Sequence, residues 1–183
     1  MDRKIDKVNY YLDIAQAVSQ RGTCLRRNYG AIIVKNDEII ATGYTGAPRG
    51  EKHCTEIGTC FRIQNKIPSG QQYEACRSVH AEMNAIISAA RKDMIDSTLY
   101  LVGVESDTGE YVKDTKPCSI CSRLITNAGI SKIVTRVNKN HFNTLDLKSG
   151  SHINQAGIKV NTIKIPAPSN NSFGVKIVPK NIY

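Results

Sequence analysis

Apolar residues recur three and four apart from Ile5 through Val8, Leu12 and Ala15 to Val18, the stripe of an amphipathic helix that stops before Arg21-Gly22. The period then changes. Residues 31–34 and 38–41 are short apolar runs on either side of Lys35-Asn36-Asp37, which predicts a strand–turn–strand hairpin. Gly46, Pro48 and Gly50 make residues 43–50 a loop. From His53 to Cys76 no period is visible, with Pro68-Ser69-Gly70 as a turn; so long a loop in a compact domain implies function or an internal clip. Helical spacing returns at Val79, Met83, Ile86, Ile87 and Ala90. Residues 99–102 predict a strand, and Ser106 to Gly109 a turn into a short extended piece near Tyr111-Val112. Pro117 opens a third helix, with Leu124, Ile125 and Ala128 apolar and Gly129 as its stop. Ile133-Val134 is the next predicted strand. Ile158 and Val160 begin another, after a polar connection from Asn138 to Gln155. Strands alternating with helices predict an α/β layer, with a hairpin first and parallel strands later.

At 183 residues the chain has room for one domain, taken as 1–165, with a Pro- and Asn-rich stretch, 166–183, as an extended tail. No apolar run approaches the ~18 residues of a membrane helix. The opening Met-Asp-Arg-Lys lacks the apolar core of a secretory signal, so the expectation is a soluble, cytoplasmic protein with no membrane partner. Lys and Arg number 25 against 16 acids, a formal charge of +9. That excess fits an anionic partner or, equally, a solvated basic face. The basic residues are scattered, with Arg26-Arg27 and Arg91-Lys92 the adjacent pairs of the central region. A small phosphate-bearing molecule therefore suits them at least as well as a nucleic acid, which is not the expected partner.

Six cysteines in a chain without an export signal read as metal ligands or catalytic groups rather than disulfides. The sharpest chemical signal is His80-Ala81-Glu82 followed by Pro117-Cys118-Ser119-Ile120-Cys121. One imidazole and two thiolates leave the fourth position of a catalytic zinc open for water. Cys118 and Cys121 are three apart, so both can face one ion from a first helical turn. The positive end of that helix favours thiolate over thiol. Glu82 stands better beside the water than on the metal, where it can take a proton and hand it to a leaving amine. Alone, Cys-x-x-Cys also suits a redox pair or half a zinc knuckle. Jointly, His-x-Glu and Pro-Cys-x-x-Cys form the signature of zinc nucleobase deaminases.

Residues 5–135 resemble the deoxycytidylate (dCMP) deaminases. The resemblance rests on Gly30-Ala-Ile-Ile-Val34, Gly43-Tyr-Thr-Gly-Ala-Pro48, His80-Ala-Glu-Met-Asn-Ala-Ile86, Pro117-Cys-Ser-Ile-Cys121 and Asn127-Ala-Gly-Ile130. It implies the cytidine deaminase fold, three α/β/α layers around a five-stranded mixed sheet, and hydrolysis of dCMP to dUMP and ammonia. It implies a catalytic zinc on His80, Cys118 and Cys121, Glu82 as proton shuttle, and Ala81 and Asn84 at the substrate. Cys24 and Cys54 match a structural zinc site of some such enzymes, with Cys60 and Cys76 completing it; His53 in place of one cysteine, or ordinary buried thiols, are the alternatives. Arg26 and Arg91 are the phosphate candidates, Arg91 as the end of the active-site helix. Thr45 stands where the family has Asn, which bears on sugar selectivity and on dCTP or dTTP as effectors. Cys118 lies 38 positions after His80, more than the usual spacing, and the excess at 106–116 implies an added hairpin beside the catalytic mouth. A homo-oligomer, commonly a hexamer, is also implied. His141 and His152 read as surface histidines.

Other readings use the same motif: a deaminase of CMP, a modified dCMP or a free nucleoside, a tRNA adenosine deaminase, or a non-catalytic zinc module that binds nucleic acid. The long cysteine-bearing segment argues against the tRNA enzyme. Glu82 argues against the non-catalytic module.

Overall fold

The computed structural model describes residues 5–147. Helix α1 (Lys7–Ser19) starts where the Asp6 carboxylate accepts the Asn9 N–H at 3.0 Å, and it buries Tyr11, Leu12 and Ala15. Ile5, assigned to the same stripe, precedes the helix and is exposed. Strands β1 (Arg27–Lys35) and β2 (Glu38–Tyr44) form the predicted hairpin. Its turn holds Asn36 and Asp37 at φ of 50° and 70°, a left-handed pair that these two residue types tolerate. Within 53–76 lie two single-turn helices, α2 (Cys54–Ile57) and α3 (Phe61–Gln64), and a 3-10 turn (Tyr73–Ala75), each too short to leave a periodic signal.

Helix α4 (Ala81–Ile87) is shorter than its sequence pattern. Val79 instead pairs with Gly46 in an isolated bridge, and Ala90 caps a separate turn, α5 (Arg91–Met94). At the break Ser88 turns its hydroxyl back onto the Asn84 carbonyl. Strand β3 (Thr98–Glu105) leads to helix α6 (Ser119–Ala128), whose N-cap is Cys118, with Pro117 one residue earlier. Gly129, at φ 85°, closes α6 as expected, and the Ile130 N–H reaches the Ile125 carbonyl. Strand β4 (Lys132–Asn138) follows.

The fifth strand corrects the sequence reading. Strand β5 (His141–Asp146) occupies part of the segment taken as a polar connection. It is an edge strand in which only Leu145 is buried, so its apolar alternation is too thin to read. The strand expected at Ile158 and Val160, His152 and the boundary at 165 lie outside the described residues. The sheet order is β2-β1-β3-β4-β5; only β3–β4 is parallel among the described pairs, so the expected later parallel strands reduce to that pair.

Alternate residues of the sheet feed two cores. Ile32, Val34, Tyr100, Val102 and Val134 pack under α1. Ala31, Ile33, Leu99, Leu101 and Ile133 pack under α4 and α6, which completes the α/β/α sandwich. Both helix contacts at the hairpin need glycine. A Cβ at Gly30 would lie 2.0 Å from the Ala15 carbonyl oxygen, and one at Gly43 would lie 2.2 Å from that of Ala81. Helix α4 carries the site chemistry, so Gly43 sets its distance from the sheet. Gly43→Ala forces backbone apart and is expected to cost on the order of 3 kcal/mol. Thermal unfolding should show a midpoint lowered by roughly 10 °C; an unchanged midpoint would contradict this close approach.

The expected added hairpin is present. Val104 pairs with Tyr111, and the Val112 N–H reaches the Gly103 carbonyl. Ser106 ties it to the loop after α1: its hydroxyl donates to the Cys24 carbonyl at 2.7 Å and its N–H to the Arg26 carbonyl at 3.0 Å.

Candidate metal centre and substrate cavity

Three donors arrive from two helix starts on the same face of the sheet. His80 is the N-cap of α4, Cys118 the N-cap of α6, and Cys121 sits in the first turn of α6. His80 Nδ1 lies 3.5 Å from Cys118 Sγ and 3.3 Å from Cys121 Sγ, and all three donor atoms fall within 4.8 Å of one another. Tetrahedral zinc with bonds of ~2.3 Å to sulfur and ~2.1 Å to nitrogen needs ligand separations of roughly 3.5–3.8 Å. Donor chemistry and spacing therefore fit zinc.

The ionisable groups of this triad and Glu82 act on one another. A hydrogen bond from Cys121 comes first, with His80 beyond it, in pulling the Cys118 thiol down to about 4. Cys121 moves up, because its proton is shared with Cys118 and because it is buried. Burial pulls His80 down, but Cys118 and the Glu82 carboxylate outweigh it and the net shift is upward. Glu82 is 5% exposed, and burial raises its carboxyl above the usual range.

His80, Glu82 and Cys118 line a cavity of about 550 Å³ that also takes in Cys24, Cys54, Cys60 and Cys76, together with Arg26 and Thr45. The structure thus brings most of the sequence-derived candidates to one place. Cys24, Cys60 and Cys76 are close enough to Cys54 to push its thiol up, after burial itself. Among the described residues only the His80 triad gathers three metal donors within 4.8 Å, so the four cysteines face one another more widely. Thr45 is buried; its hydroxyl accepts the Tyr29 N–H while its own N–H donates to the Tyr29 carbonyl.

Three candidates lie elsewhere. Ala81 is wholly buried against Gly43, and Asn84 donates its amide to the Tyr44 carbonyl at 2.8 Å, clamping α4 onto β2. Arg91 does not end the active-site helix. That helix stops at Ile87, and Arg91 starts a separate turn, where its Nε donates to the Asn127 carbonyl away from the cavity lining. His141 is exposed and bonded to Asn138, as a surface histidine. Sequence reasoning missed Tyr29, Arg62, Tyr73 and Lys116, which also line the cavity. Arg62 and Tyr73 sit in the aperiodic 53–76 segment, where only the folded chain reveals their neighbours. Tyr29 offered one usable signal, its place beside the Gly30–Val34 run that opens the hairpin.

The family described as the cytidine and deoxycytidylate deaminase zinc-binding region matches residues 5–137. Deoxycytidylate deaminase of Schizosaccharomyces pombe is 31% identical over 165 residues, covering 90% of this chain and 46% of the yeast protein. The chain thus spans less than half of that relative. Deoxycytidylate deaminase of Mycobacterium phage D29 is 37% identical over 130 residues, covering 68% of this chain and 90% of the phage protein. Among solved structures, apo dCMP deaminase of cyanophage S-TIM5 superposes with a TM-score of 0.50 at 28% identity, covering 73% of this chain and 84% of that one. With its sheet order, its helix-borne His-Cys-Cys triad and this match to the zinc-binding region, the chain belongs to the cytidine and deoxycytidylate deaminase family.

Proposed function

We propose that the protein hydrolyses dCMP to dUMP with release of ammonia, using zinc. The observation that carries this reading is the His80–Cys118–Cys121 triad, two of whose members, His80 and Cys118, line a cavity that Glu82 also lines. The S-TIM5 relative, solved in complex with dCMP and dUMP, supports the substrate.

His80, Cys118 and Cys121 hold the catalytic ion. When bound, it supplies the Lewis acidity that makes water a nucleophile near neutral pH. Glu82 takes the proton of the attacking water and passes it to the ring nitrogen and the departing amine, so one water is consumed and one ammonia released. Asn84 holds α4 in place through the Tyr44 carbonyl; the assignment of the Ala81 N–H to the pyrimidine rests on the family resemblance, since Ala81 itself is outside the cavity lining. Arg26 holds the phosphate and Thr45 faces the sugar, both from the cavity wall. Arg91 lies outside that lining, with its Nε donating to the Asn127 carbonyl.

Cys24, Cys54, Cys60 and Cys76 form a second, structural zinc site. Their shared cavity and the push of the other three on the Cys54 thiol support it; the four thiolates would hold the ion and clip the 53–76 segment. All six cysteines are free, which suits a reducing cytoplasm. Among the described residues no helix is long and apolar enough to cross a membrane. Exposed Ile57, Phe61, Ile63 and Ile87 offer surfaces for a homo-oligomer. A hexamer, and dCTP or dTTP as effectors, rest on the family resemblance.

The test is ammonia release by zinc-loaded protein from dCMP, CMP, deoxycytidine and cytidine in parallel. Preferential turnover of dCMP is the expected outcome. Equal turnover of deoxycytidine would remove the phosphate from recognition, and preference for CMP would overturn the sugar assignment.

A further inference from the structure

His80 binds through Nδ1, and its backbone fixes only where Cβ stands. The second side-chain torsion of histidine is broad, so something must hold the ring plane for Nδ1 to keep facing the two sulfurs. Metal-binding histidines usually secure that plane by donating the other ring N–H to a carboxylate, carbonyl or water. Among the described residues no protein group bonds to His80 Nε2. An aromatic ring stands against the imidazole instead: Tyr73 meets His80 edge-to-face, with ring centroids 4.9 Å apart and planes at 80°.

Tyr73 is itself held. Arg62 is 4% exposed and, among the described residues, has no carboxylate partner. A buried guanidinium is costly unless its donors are used. Arg62 spends them on the carbonyls of Pro68, at 2.7 Å, and Gln72, at 3.1 Å, and lies 4.9 Å from the centroid of the Tyr73 ring. Gln72 is left-handed, with φ of 48°, a conformation that costs a non-glycine residue energy and that surrounding contacts must maintain. It leads directly into the 3-10 turn bearing Tyr73. Arg62 therefore fastens both the strained residue that aims Tyr73 and the face of the ring.

We propose that Tyr73, clamped by Arg62, is a positioning residue for the metal ligand His80, fixing its ring plane by packing. The inference rests on the zinc reading of the triad.

The test compares the full-length wild type with Tyr73→Leu, Tyr73→Phe and Arg62→Met. Two readouts are needed: zinc retention against a competing chelator, and the visible absorption of the cobalt-substituted protein. Cys118→Ser, measured alongside, marks the part of each signal that belongs to this site. Tyr73→Leu is expected to weaken zinc retention at the triad by roughly 10–100-fold and to alter the cobalt spectrum. Tyr73→Phe should preserve both, because edge packing needs only the ring. Arg62→Met should move both in the same direction as Tyr73→Leu. If Tyr73→Leu lowers the unfolding temperature alone, or raises KM alone, with retention and spectrum unmoved, the proposal is overturned. Should Tyr73→Leu fail to fold, Arg62→Met decides by the same criteria. Wild-type protein with no triad signal would overturn the proposed function itself, whereas a wild-type signal untouched by Tyr73→Leu overturns only this inference.

Discussion

Glu82→Ala is expected to lose turnover by at least ~10²–10⁴-fold while keeping its full complement of zinc. The two effects separate because the Glu82 carboxylate is not among the three donor atoms that converge at the triad. Its placement does the work: Glu82 lies two residues beyond His80, in the first turn of α4, and faces the same cavity with 5% exposure. A carboxylate in such surroundings exchanges a proton over a short path without competition from bulk water. Glu82→Gln sharpens the test by keeping volume and hydrogen bonding while removing the capacity to carry the proton. Steady-state rates with metal analysis on the same samples check it. Wild-type turnover in either variant would remove Glu82 from the reaction.

Cys118→Ser is expected to abolish both triad zinc and turnover while leaving the fold intact. Cys118 has two roles that serine divides. As N-cap of α6 its sulfur accepts the Cys121 N–H at 3.4 Å, and a serine hydroxyl performs that task at least as well. As a ligand it supplies a thiolate, which a neutral hydroxyl does not replace. Circular dichroism should therefore be unchanged, with metal content lower by about one ion per chain. A variant that retained zinc at the triad and turned over substrate would exclude Cys118 as a ligand.

The parts of the fold legible in the sequence are those whose cause is local. Asn36-Asp37 between two apolar runs specifies the hairpin through backbone preference, and Gly129 ends α6 through its left-handed conformation. The His-x-Glu and Cys-x-x-Cys spacings deliver the triad because each half opens a helix; the sheet then brings the two helix starts together. Parts with tertiary causes were not legible. Strand β5 exists because β4 offers it an edge, with Leu145 as its one buried anchor. The apolar spacing from Val79 to Ala90 reads as one helix. The chain breaks it at Ser88, and Arg91 then stands outside the cavity lining. Arg62 and Tyr73 lie in single turns with no periodic signal, and the contacts of Arg62 with Tyr73 and of Tyr73 with His80 arise only on folding.

The most direct test of the account is the fate of dCMP incubated with the zinc-loaded protein in oxygen-labelled water, followed by mass spectrometry. The account predicts dUMP carrying one solvent oxygen, with ammonia released in equal amount and no conversion by Glu82→Ala. Unchanged dCMP from protein whose triad holds its zinc would contradict it.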